Sequence, residues 1–196
     1  MCAHDVTYEQ QGGVLPFGRR VPRGRLRWYL VACPIGKEQR TCDMVRKIVP
    51  QNVLEDAFVP RKERQIKFRG AWKTDVVDFF DGYFISATKD APALSRALAK
   101  LSFPVRMVGA VGRGYQPISE DAQRLLEQTM DTHHVVRLSR GEVVSDALHV
   151  QDGPLVGKEE RISKFIRRKA YAFVRVGERD GAYAMLNMPL AILARK

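Results

Sequence analysis

Long apolar runs are missing from this sequence. The longest stretches of that kind, such as residues 28–34, fall far short of the ~18 residues that a membrane span needs, so nothing in the chain is expected to cross a bilayer. A secretory leader is not evident either, because the basic residues near the N-terminus follow the scattered apolar ones instead of preceding them. A cytoplasmic protein is expected. Cysteine is scarce, with only Cys2, Cys33 and Cys42, and no C-x-x-C spacing occurs. An odd number of widely spaced cysteines argues against a disulfide framework. With His4, His133, His134 and His149 equally scattered, it also argues against a metal centre. Cys33 and Cys42 are expected to behave as small hydrophobes.

Catalytic constellations are lacking too. No paired carboxylates, Ser/His/Asp order or phosphate-cradling loop can be assembled. The stretch Gly109-Ala110-Val111-Gly112-Arg113-Gly114 misses dinucleotide-loop spacing and runs into Tyr115-Gln116-Pro117 instead of a helix start. No enzymatic activity and no cofactor are expected. The work is expected to be binding.

What the sequence has in abundance is positive charge. Thirty-three Lys and Arg stand against 22 Asp and Glu, giving a net charge of +11 and pointing to a polyanionic partner. Hydrophobic residues make up 45% and charged residues 28%, a balance that supports a buried core. Residues 1–27 carry five arginines against Asp5 and Glu9 and show no periodicity, so they are expected to be disordered.

Order begins at Trp28. Residues 28–33 are aromatic and β-branched and predict a buried strand, and residues 36–49 predict a helix stopped by Pro50. A short strand over 57–60, a charged exposed hairpin or loop over 61–73, and strands over 76–80 and 83–88 follow. Asp90 can cap a second helix, where Leu94, Ala97, Leu98 and Leu101 share one face. A strand over 105–111 and a helix from Ser119 to about Thr129 close an α+β unit over residues 28–130. Residues 131–140 read as a linker, with His133 and His134 as exposed bystanders. From Gly141 to Lys196 the texture changes to short strands over 142–150, 161–166, 170–176, 183–187 and 191–194. Five strands without a helix predict a small closed β-barrel.

Two segments then carry a resemblance. Trp28-Tyr29-Leu30-Val31, followed by Phe79-Phe80-Asp81-Gly82-Tyr83-Phe84-Ile85, resembles the W-Y and F-F-P-G-Y signatures of the NusG N-terminal domain. Met107-Val108-Gly109 and Gln116-Pro117-Ile118-Ser119 resemble that domain's closing strand and last helix. Gly153-Pro154-Leu155-Val156-Gly157 resembles the turn of a KOW barrel, an SH3-like five-stranded fold. Asp81 departs from the usual Pro, and Glu160 stands where KOW motifs carry a second Gly. These departures, with Lys158-Glu159 and Arg167-Arg168-Lys169-Ala170, resemble the LoaP group of specialised antiterminators.

The resemblance implies a monomeric transcription elongation and antitermination factor. Its first domain would grip the clamp helices of RNA polymerase through an open apolar notch at Phe80, Tyr83 and Ile85, with Val111 at the rim. In the second domain, strand alternation turns Ala170, Ala172, Val174 and Val176 inward and leaves Tyr171, Phe173 and Arg175 outward, beside Lys164, Arg167, Arg168 and Lys169. Cations for phosphates next to rings for stacking suit nascent RNA. Two alternatives stay open at this point: a general NusG factor whose barrel binds Rho or a ribosomal protein, and a ribosome-associated KOW protein that binds RNA.

Overall fold

The computed structural model describes residues 25–111, 114–179 and 182–195, so the basic lead over 1–24 lies outside the described residues. The described residues form a mixed α+β structure with three α-helices and several sheets. Strand β1 (Arg27–Ala32) is the spine of the first sheet. It pairs antiparallel with β5 (Tyr83–Thr88) on one side and β6 (Arg106–Met107) on the other, and β5 also pairs with β2 (Asp56–Phe58). Alternation along β1 and β5 sends side chains to two faces. Tyr29, Val31 and Phe84 pack with α1 (Glu38–Ile48) and α2 (Ala91–Ala99), while Trp28, Leu30 and Ile85 enter a second cluster with Ile118, Ala122, Leu125 and Leu126. Three of these last four belong to α3 (Glu120–Thr129).

The helix starts follow local chemistry. Asp90 accepts a hydrogen bond from the Ala93 amide at 2.9 Å, and Ser119 accepts one from the Ala122 amide at 3.1 Å. A long hairpin, β3 (Arg61–Phe68) and β4 (Ala71–Asp78), turns at Arg69 and Gly70, both with positive φ, as tight two-residue hairpins require. Between β6 and α3 the described residues form a small ribbon, β7 (Ala110–Val111) with β8 (Gly114–Tyr115). The expected single strand over 105–111 is interrupted at Gly109, whose φ of 77° turns the chain between β6 and β7.

The C-terminal sheet contains β10 (Ser139–Val144), β11 (Ala147–Asp152), β12 (Ile162–Ile166), β13 (Tyr171–Arg179) and β14 (Ala182–Arg195), in the order β11-β10-β14-β13-β12. Five strands were expected, but their limits differ. The strand read over 142–150 is a hairpin folded at Ser145 and Asp146, both at positive φ. The two strands expected over 183–187 and 191–194 are one, because Pro189 falls within a strand that changes partner, pairing first with β13 and then parallel with β10. Glycine is required at two close approaches. A Cβ on Gly141 would lie 2.5 Å from the His149 carbonyl oxygen, and one on Gly153 would lie 2.6 Å from Ser139 Cα. The bend at Glu159–Arg161 is a 3-10 turn, a right-handed conformation that needs no glycine, so Glu160 fits there.

Residues 131–140 are built into the fold. β9 (Val135–Val136) runs parallel to β3, Val136 and Ser139 are fully buried, and the Leu138 amide donates to Glu63 Oε2 at 2.7 Å. His134 is no bystander: its ring stacks on Phe58 at 4.0 Å and 10°. His133 is exposed, as expected. The ordered structure also begins earlier than Trp28, because Arg27 is buried and ion-paired to Glu120.

One apolar cluster runs from the first sheet through α3 into the C-terminal sheet, where it takes in Ala172, Val174, Val176, Leu186, Met188 and Leu190. The two halves therefore pack directly on each other. Among the described residues no helix is long and apolar enough to cross a membrane.

Candidate interaction surfaces

The Phe79–Tyr83 segment links β4 to β5 through a tight turn. The Tyr83 amide donates to the Phe80 carbonyl at 3.3 Å, and Gly82 occupies the third position with φ of 77°. This is the geometry in which Gly is needed third and Pro is merely common second, so Asp81 is accommodated. The turn is clamped from below, where the Gly82 amide donates to the buried Glu38 Oε1 at 2.6 Å and the Cys33 amide donates to the Gly82 carbonyl at 2.8 Å. Burial raises the Cys33 thiol to about 11 and that of Cys42 to about 12, so neither is reactive near neutrality.

The notch expected here is not open. Phe80 is 7% exposed and Ile85 is fully buried between β1 and β2 strand neighbours, so both stand as core residues in this arrangement. Tyr83 is half-buried and packs on the edge of the same cluster. The side chain of Val111 lies outside the described ones. A residue that sequence reasoning passed over is Ile35, 76% exposed, whose Cγ1 lies 3.1 Å from where a Cβ on Gly82 would stand. An aliphatic side chain isolated between Pro34 and Gly36 was the available signal.

The aromatic pair Phe79–Phe80, with centroids 4.9 Å apart, stands at the seam between the two halves. Lys62 lies with its ammonium 4.6 Å from the Phe79 centroid and donates to the Asn187 carbonyl of β14 at 3.3 Å. Burial lowers the Lys62 pKa to about 8, against a smaller opposing pull from Asp81. On the other side of the seam, Arg161 Nη1 donates to both Asp121 oxygens at 3.0 Å, and the Gly177 amide donates to Asp121 Oδ2 at 3.0 Å.

The second surface is on the outer face of β12 and β13. Ala170, Ala172, Val174 and Val176 are buried, while Tyr171, Phe173 and Arg175 are partly exposed, in the alternation expected. Tyr171 and Phe173 meet edge to face at 5.3 Å. Register sets Lys164 opposite Phe173 and Ile166 opposite Tyr171. Arg167, Arg168 and Lys169 form a single 3-10 turn, closed by Ala170 in the left-handed conformation, and all three are exposed, as is Lys164. Among the described residues, none of these four cations is held in an ion pair. Arg175 differs, since its guanidinium donates to the Glu160 carbonyl. Lys164, Arg167, Arg168 and Lys169 are thus exposed, Tyr171 and Phe173 are partly exposed, and Arg175 is engaged in fixing the preceding turn. Among the described residues no group of side chains could hold a metal ion.

No protein-family model matches the chain, and no curated protein matches it in sequence. Among solved structures, one described as "Domain interaction in Thermotoga maritima NusG" is similar at a TM-score of 0.40 and 13% identity, over 84% of this chain and 94% of that one.

Proposed function

We propose that this protein is a transcription elongation and antitermination factor of the NusG type, closest in character to the LoaP group. It would dock on RNA polymerase through its N-terminal half and bind nascent RNA through the outer face of β12 and β13. The observation that carries the reading is the open cationic turn Arg167–Lys169 beside the Tyr171–Phe173 ring pair. Free cations attract phosphates, and neighbouring partly exposed rings stack on splayed bases, at roughly 1–3 kcal/mol per base. The ordered signatures at Trp28–Tyr29, Phe79–Ile85 and Gly153–Gly157 supply the link to transcription.

Polymerase docking is assigned to the exposed Ile35 and the half-buried Tyr83, which flank the Gly82 turn, instead of to Ile85 in the core. Phe80 is buried at that turn and would contribute if the C-terminal sheet moved away from the seam. Tethering an RNA-binding face to a polymerase-bound half raises its local concentration at the emerging transcript, which favours readthrough of pauses and terminators. The test is retention of the full chain on purified RNA polymerase, together with binding of RNA stem-loops in moderate salt. RNA binding lost in the Arg167→Ala/Arg168→Ala/Lys169→Ala variant supports the assignment. Preference for Rho or a ribosomal protein, with no RNA retained, removes it.

A further inference from the structure

The distal end of the β3–β4 hairpin takes no part in either surface above. β4 is an edge strand, and its residues 71–76 are all exposed. Edge strands are usually protected by charge and kept free of large apolar side chains. This one carries Trp72 at 56% exposure, and the end of the neighbouring β3 carries Phe68 at 48%. The distal half, residues 64–73, also holds Arg64, Lys67, Arg69 and Lys73 with no carboxylate, the acidic Glu63, Asp75 and Asp78 lying nearer the base.

The two rings have different surroundings. Register places Phe68, Ile66, Lys73 and Arg64 on one face of the ribbon and Trp72 with Val76 on the other. The Arg69 guanidinium lies 5.3 Å and the Lys73 ammonium 4.9 Å from the Phe68 centroid, both inside the ~6 Å range of a cation–π contact. Phe68 therefore acts as a post that holds two cations at the end of the hairpin. The Trp72 indole, 56% exposed, presents a large ring to the surface on that other face.

We propose that the tip of this hairpin binds single-stranded nucleic acid, with Arg69 and Lys73 taking phosphates and Trp72 stacking on a base. The charge of the tip suits a polyanion, and the exposed indole suits a base that is not already stacked. A duplex keeps its base faces inside and leaves the indole without a partner. A two-residue turn is convex, so a flexible strand can wrap it, whereas a protein would have to bring a matching cavity. This inference is independent of the proposed polymerase and RNA assignments.

The chain has two tryptophans, and Trp28 is buried, so quenching of exposed indole emission reports on Trp72. The experiment titrates the full chain, in the Arg167→Ala/Arg168→Ala/Lys169→Ala background, with oligothymidine, oligouridine and a duplex of matched length. Single strands are expected to quench the emission and the duplex to do so far less. By anisotropy of labelled oligothymidine, Trp72→Ala is expected to weaken binding by roughly fivefold to a hundredfold, with Trp72→Phe in between. Circular dichroism checks that both variants fold. Emission indifferent to every oligonucleotide, equal quenching by duplex, or wild-type affinity in Trp72→Ala overturns the proposal. A response to a protein partner alone overturns it in favour of protein docking.

Discussion

Asp121 on α3 and Arg161 ahead of β12 are joined across the seam, with Arg161 Nη1 donating to both carboxylate oxygens at 3.0 Å. The same carboxylate takes the Gly177 amide, so one side chain of the N-terminal half ties down two points of the C-terminal half. Arg161 and Asp121 are both partly exposed, at 41% and 32% respectively, so screening limits what the pair contributes. Asp121→Ala is expected to cost about 1 kcal/mol of stability and to speed hydrogen exchange at the Gly177 amide. Unchanged protection of that amide would show that the contact does not hold the seam.

Lys62 gives a pH signature at the same boundary. Burial depresses its folded pKa to about 8 from an ordinary value of 10.5, so the folded state binds the proton less tightly than the unfolded one. Stability contributed by this group is therefore lowest below about pH 8 and rises as pH climbs from there toward 10.5. Lys62→Met should flatten this rise, measured as the midpoint of urea unfolding across that window. An identical pH profile in the two proteins would contradict the assignment.

Backbone crowding at Gly141 makes a third expectation. An added methyl would meet the His149 carbonyl at 2.5 Å and Val150 Cα at 3.2 Å, neither of which can swing aside as a side-chain end could. Gly141→Ala should lower stability by about 2–4 kcal/mol. Gly36→Ala meets nothing within 4 Å and suffers only from its φ of 77°, at about 1–2 kcal/mol. Thermal unfolding of the two variants ranks them. The reverse order would refute the packing of β10 on β11.

On the outer face of β12 and β13, replacing Arg167, Arg168 and Lys169 with alanine removes three exposed cations. For a single-stranded ligand the slope of log affinity against log salt should fall by about 2. Tyr171→Ala should instead weaken binding at every salt concentration while leaving the slope unchanged, because a ring contributes stacking and not counterion release. A salt slope untouched by the triple change would place the RNA contact elsewhere.

Much of the architecture is legible in the residues themselves because local rules decide it. The Asp90 and Ser119 caps, the alternation along β13 and the two faces of β5 follow from periodicity and capping alone. What escaped was settled by partners distant in sequence. Ser145 and Asp146 turn the chain without glycine, and Pro189 is tolerated where β14 exchanges β13 for β10. Residues 131–140 look like a linker until β9 pairs with β3 and His134 finds Phe58. The site was legible in the same uneven way. The cationic turn could be read directly, since exposure is the ordinary state of Arg and Lys. The apolar notch could not, because whether Phe80 and Ile85 are open or enclosed depends on α3 and the C-terminal sheet packing over them.

The most direct measurement is the affinity of purified RNA polymerase for the full chain, compared among wild type, Tyr83→Ala, Ile35→Asp and Asp121→Ala. The account expects binding by the wild type and at least about tenfold weakening, roughly 1.4 kcal/mol, when Tyr83 or Ile35 is changed. It also expects tighter binding when Asp121→Ala loosens the seam. Polymerase that ignores all four proteins, or that binds them equally, would contradict it.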